Sequence, residues 1–126
     1  MADNRNPSIP VLIVDDVEAV RRDLRTALTL AGNIEIVGEA GNGLEAVRLA
    51  ESLAPAVVLM DLEMPVMDGY EAASRIKVRL PACRVIALTV HGYESARRRA
   101  FQSGVDDFVI KGAPLESLVS VISREE

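Results

Sequence analysis

Five short apolar runs constrain this chain more than anything else in it. They stand at residues 11–14 (VLIV), 34–37 (IEIV), 57–60 (VVLM), 85–88 (VIAL) and 108–110 (FVI), with longer stretches of helical spacing between them. All but the second are apolar without alternation. That is the pattern of strands covered on both faces, because a strand with one wet face alternates apolar and polar residues. Between the runs, Val17, Val20, Leu24, Ala27, Leu28 and Ala31 recur along one helix face, and Leu115, Leu118, Val119 and Ile122 do the same near the C-terminus. Gly32-Asn33 follows the first helical stretch, Pro81 ends the third, Gly104 ends the fourth and Pro114 starts the last. The fourth stretch, residues 93–103, is thinly anchored, mainly by Ala96, Ala100 and Phe101. It reads either as a plain edge helix or as one that shifts easily. Five strands alternating with five helices predict an α/β fold of right-handed βαβ units, a doubly wound parallel sheet with helices on both faces.

A chain of 126 residues, 49% of them apolar, suits one domain with a real core. Residues 1–10 are polar and hold two prolines. The expected organisation is therefore a flexible tail over 1–9, one domain over 10–123, and a C-terminal end or linker start at 124–126. The net charge of −5 argues against nucleic-acid binding by this domain. Its largest basic cluster, Arg97-Arg98-Arg99, fans out around a helix at about 100° per residue instead of forming a patch. One cysteine and one histidine exclude an internal disulfide and a Cys/His zinc cluster. No leader pattern and no membrane-length apolar run is present, so the expected location is the cytoplasm, away from the membrane.

The polar residues that end the strands carry the functional information. The first run ends in Asp15-Asp16, the third in Asp61, the fourth in Thr89 and the fifth in Lys111. In a parallel sheet these ends share one edge, where open α/β sheets bind ligands. Each residue also has an ordinary explanation: Asp16 as N-cap of the first helix, Thr89 as cap of the fourth, Lys111 as a solvated charge. Four strands ending this way together point elsewhere. Three close carboxylates repel, so either some protonate or a cation sits among them. Oxygen ligands suit Mg2+, which keeps waters and leaves room for phosphate oxygens. Lys111 adds a point charge for an anion and Thr89 a hydroxyl donor. Together they describe phosphoryl transfer to a carboxylate nucleophile, giving an aspartyl phosphate. Neither G-x-x-x-x-G-K nor G-x-G-x-x-G occurs, so the donor is not expected to be a nucleotide held by this domain.

These residues resemble response-regulator receiver domains from about residue 11 to 122. The matching stretches are Val14-Asp15-Asp16, the run MDLEMPVMDG at 60–69, Leu88-Thr89, and GVDDFVIK at 104–111. The stretch IEIVGEAGNG at 34–43 is similar to the NarL/FixJ-type subgroup. The resemblance, not the pattern, implies the flavodoxin-like three-layer (βα)5 sandwich with strand order 2-1-3-4-5, the order receiver proteins are known for. It implies Asp61 as phospho-acceptor. It implies Mg2+ bound by Asp16, Asp61 and the backbone carbonyl of Glu63, with Asp15 acting mainly through water. Lys111 would contact the phosphoryl group, Thr89 would swing toward it, and Phe108 would change rotamer as the switch. The face of the fourth helix, fifth strand and fifth helix would carry the change to an output domain or downstream protein. The donor would be a sensor histidine kinase or phosphotransfer protein. A phosphorylation-linked homodimer and control of transcription belong to the same expectation. Such a domain is no enzyme in the usual sense, catalysing only its own phosphoryl transfer and autodephosphorylation.

The departures are specific. Gly112 replaces a proline that often follows a cis bond in the family, so no cis peptide is expected here. Val90 stands where a very small residue is usual and would narrow access to Asp61. Glu63 and His91 occupy positions that vary in the family and tune phosphate lifetime, though His91 reads first as an exposed loop histidine. Met64 and Met67 read as packing and turn residues. Two competitors remain: a haloacid-dehalogenase-type phosphatase, whose second nucleophile-loop aspartate is missing after Asp61, and a binding module of the same fold that is never phosphorylated. The chain is either a stand-alone receiver or part of a longer regulator with a helix-turn-helix domain downstream.

Overall fold

A computed structural model describes residues 8–124. The elements alternate as expected: β1 (Ile9–Val14), α1 (Glu18–Ala31), β2 (Ile34–Ala40), α2 (Gly43–Leu53), β3 (Val57–Met60), α3 (Gly69–Arg79), β4 (Arg84–Thr89), α4 (Glu94–Gln102), β5 (Asp107–Ile110) and α5 (Leu115–Ser123). The strands form one sheet in the order β2-β1-β3-β4-β5, and every pairing is parallel.

The unbroken apolar runs serve two cores at once, because successive strand side chains point to opposite faces. Leu12, Val14, Val58, Met60, Val85 and Ala87 face α2 and α3, where they meet Ala46, Ala50, Ala72, Ala73 and Ile76. Val11, Ile13, Val57, Leu59, Ile86 and Leu88 face α1 and α5, where they meet Leu28, Leu118 and Ile122. The first core is rich in alanine and the second holds only larger aliphatics among its buried members. Burying each large side chain contributes roughly 1.5–3 kcal/mol.

Two strand boundaries differ from expectation. Ile9, assigned to the tail from the sequence, belongs to β1 together with Pro10, the two paired with Ile34 and Glu35; residues 1–7 of that expected tail lie outside the described residues. Pro10 is tolerated near the start of its strand, where its carbonyl still accepts from Ala56 N at 3.0 Å. β2 runs on to Ala40 through a bulge, its register jumping from Val11↔Ile36 to Leu12↔Gly38. Neither Asp16 nor Thr89 caps a helix. The N-caps of α1 and α4 are Val17 and Tyr93, without side-chain cap bonds.

α4 is held by means other than apolar burial. Ala100 is its one buried residue. Arg97 lies over the Phe101 and Phe108 rings at 5.3 and 5.9 Å, and Arg99 lies over Tyr70 at 3.9 Å. The arginine triplet does fan out, and two of its members anchor the helix.

Arg84 was not singled out in the sequence, yet its buried guanidinium closes the end of α5. It donates to the carbonyls of Val121 (2.5 Å), Ile122 (3.0 Å) and Arg124 (3.1 Å), and it pairs with Asp107 at 3.2 Å. These carbonyls are the ones a helix leaves unsatisfied at its C-terminus. Replacing Arg84 by Met is expected to cost about 3 kcal/mol in urea unfolding, since it strips partners from a mostly buried network. A loss below about 1 kcal/mol would mean that water satisfies the carbonyls unaided.

Candidate functional site

Ladder bonds continue one residue past the strands and line up their ends. Asp15 N donates to Ala40 O (3.0 Å), Asp61 N to Val14 O (3.0 Å) and Lys111 N to Thr89 O (2.7 Å). The backbone thus delivers Asp15, Asp61, Thr89 and Lys111 to one edge before any side chain makes a contact. The loop after Asp61 folds back tightly. Gly69 N donates to Leu62 O at 3.0 Å, and a Cβ on Gly69 would lie 2.1 Å from the backbone oxygen of Asp61. Only glycine fits there. In the same loop, Met67 N bonds to Pro65 O at 2.8 Å around Val66, whose φ is 71°. That is a γ-turn of the strained left-handed kind, carried by an exposed β-branched residue.

Asp15, Asp16 and Asp61 each bring a carboxylate oxygen within 4.8 Å of the others. Asp15 and Asp61 are buried, at 1% and 8% exposure, while Asp16 is exposed. Lys111 Nζ sits 2.5 Å from Asp15 and 3.7 Å from Asp61. The ammonium therefore belongs first to Asp15, and Asp61 is left short of positive charge. Burial pushes the Asp61 carboxyl from 3.8 up to about 6; Lys111 pulls it down, Asp15 pushes it up, the Glu63 amide pulls it down and Asp16 pushes it up. The Glu63 amide lies 3.5 Å from Asp61 Oδ1. A small cation with oxygen preference fits this donor set of three convergent carboxylates, one of which, Asp61, burial holds above the usual carboxylate range.

The remaining residues lie around this centre. Thr89 is buried, and its Oγ1 accepts from His91 N at 3.2 Å, leaving its own proton to donate. Phe108 is half-buried against the α2/α3 core, beneath Arg97. Val90 is 63% exposed and makes the β4–α4 loop bulky at its surface. His91 Nε2 meets Glu63 Oε2 at 3.2 Å and its ring stacks on Tyr93 at 5.5 Å, so this histidine ties two site loops together instead of standing free. Met64 and Met67 pack against the core, as read from the sequence. Gly112 has a φ of 95°, and no cis peptide occurs among the described residues. The lone cysteine, Cys83, is buried far from this chemistry, and burial lifts its thiol to about 11.

One residue near the site, Arg21, was missed. Arg21 donates to the Asp15 carbonyl at 2.6 Å and to Glu39 at 3.1 Å. The signal was present in the sequence: Arg21 lies within the apolar stripe of α1, between Val17 and Leu24, where a solvated arginine would not be expected.

The family profile described as response regulator receiver domain matches residues 11–123. The chain belongs to the response-regulator receiver family. The response regulator VraR of Staphylococcus aureus is 38% identical over 117 residues, covering 93% of this chain and 56% of VraR. The chain thus spans about half the length of the curated relatives it matches. A LuxR-family two-component response regulator from an Aurantimonas species superposes with a TM-score of 0.87 at 30% identity, over 91% of this chain and 82% of that one. A chain from the CheX–CheY complex of Borrelia burgdorferi, solved with BeF3 and Mg2+, superposes at 0.84 with 27% identity, over 98% of this chain and all of that one (100%). Receiver domains hold Mg2+ at an aspartate cluster, and this receiver has a cluster of three. The phosphatase alternative falls with the family assignment. No helix among the described residues is long and apolar enough to cross a membrane.

The raised Asp61 pKa has a definite sign for stability. The folded state holds this proton more tightly than the unfolded chain, whose value is 3.8, so the ionised carboxylate opposes folding above pH about 6 and ceases to do so near pH 4. Without divalent cations, Asp61→Asn is therefore expected to raise the melting temperature by several degrees at pH 7.5 and by little at pH 4.5. A lower melting temperature for the variant at pH 7.5 would show that Lys111 outweighs burial. In the same melts Val66→Gly is expected to gain about 1 kcal/mol from relief of the left-handed φ, net of the extra freedom glycine has when unfolded.

Proposed function

We propose that this receiver domain is a phosphorylation-operated switch in which Asp61 takes a phosphoryl group from the phosphohistidine of a sensor histidine kinase or phosphotransfer protein. The observation that carries this is the placement of Asp61. Its buried carboxylate has an oxygen within 4.8 Å of those of Asp15 and Asp16, Lys111 Nζ lies 3.7 Å away, and Thr89 stands on the neighbouring strand end. A carboxylate oxygen attacks phosphorus, the bond to the histidine nitrogen breaks, and the imidazole leaves as a neutral base after taking a proton. Asp15, Asp16, Asp61 and the backbone carbonyl of Glu63 would hold Mg2+, which when bound supplies positive charge for the phosphoryl oxygens. Lys111 needs only a short swing from Asp15 to reach an oxygen on Asp61. The Thr89 hydroxyl turns from the His91 amide toward the new anion. Phe108 then repacks and leaves its stack with Arg97, which loosens α4 and alters the α4–β5–α5 face.

The domain's own chemistry ends there, with self-catalysed phosphorylation and dephosphorylation and no outside substrate. It binds no nucleic acid directly. In a protein the length of VraR, the altered face would act on an output segment that regulates transcription, through a phosphorylation-linked homodimer, in the cytoplasm. Intact mass after incubation with Mg2+ and acetyl phosphate or phosphoramidate tests the core claim. Wild type is expected to gain one phosphoryl group, Asp61→Asn none, and Lys111→Ala at least tenfold less at equal times. No gain in wild type, together with no Mg2+-dependent beryllofluoride binding, would leave the domain as an unphosphorylated binding module.

A further inference from the structure

The aim of the Asp16 carboxylate depends on the peptide unit that joins Asp15 to Asp16. We propose that Arg21 is a positioning residue for the divalent cation, acting through that peptide; this rests on the reading that Asp15, Asp16 and Asp61 hold such a cation.

Asp15 is held on every side. Its amide donates to Ala40 O at 3.0 Å, its Oδ1 accepts from Val17 N at 2.9 Å, and its Oδ2 takes Lys111 at 2.5 Å. The fourth bond differs in kind. Arg21 Nη1 donates to the Asp15 carbonyl at 2.6 Å, and that oxygen belongs to the same rigid plane as the Asp16 amide. Turning the plane would turn the Cα of Asp16 and move its carboxylate relative to Asp61. Asp16 is exposed, so no surrounding packing fixes it instead.

Arg21 is itself braced. Its Nε donates to Glu39 Oε1 at 3.1 Å, and the other Glu39 oxygen takes Arg25 at 2.5 Å. A planar guanidinium reaches the carbonyl through Nη1 and the carboxylate through Nε in one fixed fork, whereas an ammonium is a rotatable point charge that holds no such plane. The brace therefore runs from β2 through Arg21 to the loop that carries two of the three carboxylates.

Two plainer roles for Arg21 differ in what they predict. As a mere countercharge to the carboxylates, its loss would tighten cation binding, since one repelling charge is gone. As a mere cross-brace between α1 and β2, its loss would lower the melting temperature and leave affinity alone. Positioning predicts weaker binding, against the electrostatic trend.

The experiment is titration of the 126-residue protein with Mn2+, read by electron paramagnetic resonance of the free ion, with Mg2+ competition and cation-free melts alongside. Wild type, Asp61→Asn, Arg21→Met, Arg21→Lys and Arg22→Met are compared. Arg22 is the charge control, because among the described residues it pairs only with exposed Glu18, at 3.2 Å, on the same helix. Arg21→Met is expected to bind about tenfold more weakly and Arg21→Lys several-fold more weakly, with Arg22→Met within twofold of wild type. Equal or tighter binding by either Arg21 variant, folded at the assay temperature, overturns the inference. If the Met variant melts below that temperature, the Lys variant, which keeps the charge, decides alone. A wild type that binds no Mn2+, or an Asp61→Asn that binds as wild type does, overturns the cation site itself and the inference with it.

Discussion

Everything at this site depends on one constraint: a parallel sheet buried on both faces must end all its strands at the same edge. The ladder carries Asp15, Asp61, Thr89 and Lys111 there through backbone bonds of 2.7 to 3.0 Å, whatever their side chains prefer. Like charges are brought together because main-chain hydrogen bonding and two apolar cores outweigh their repulsion. The repulsion does not vanish. Burial first, and the neighbouring aspartates after it, lift the Asp61 carboxyl to about 6, while the lysine is committed to Asp15, a site short of positive charge until something supplies it.

The alternation of runs, the two-sided burial and the residues at the strand ends were readable because each follows from a local rule: period two, period 3.6, or a polar residue after an apolar run. The strand order came from resemblance, since the pattern alone leaves it open. What could not be read were contacts set by three-dimensional convergence. Arg84 looks like the polar start of a strand, yet it closes a helix 37 to 40 residues further on. His91 reads as a loop histidine until Glu63 is seen at 3.2 Å. The brace through Arg21 was half visible: a charged residue in an apolar stripe demands a partner, but nothing local says that the partner is a carbonyl of the site.

α4 shows how weak anchoring coexists with order. Its arginines lie over three aromatic rings, contacts worth roughly 0.5–1 kcal/mol each when exposed and less dependent on shape than apolar interdigitation. One of those rings is Phe108, on the strand that ends at the site. A helix held this way can change its hold without opening a cavity, whereas α1 and α5 cannot.

The split of the strands between two unlike cores makes the domain fail in opposite ways on its two sides. Toward α2 and α3 the buried layer is rich in alanine, and an added methyl group overpacks it. Toward α1 and α5 the buried layer is made of branched aliphatics alone, and damage comes from atoms removed. Drift along the sequence is thus bounded by crowding on one face and by voids on the other. A single inserted residue in any central strand would exchange the two demands at once.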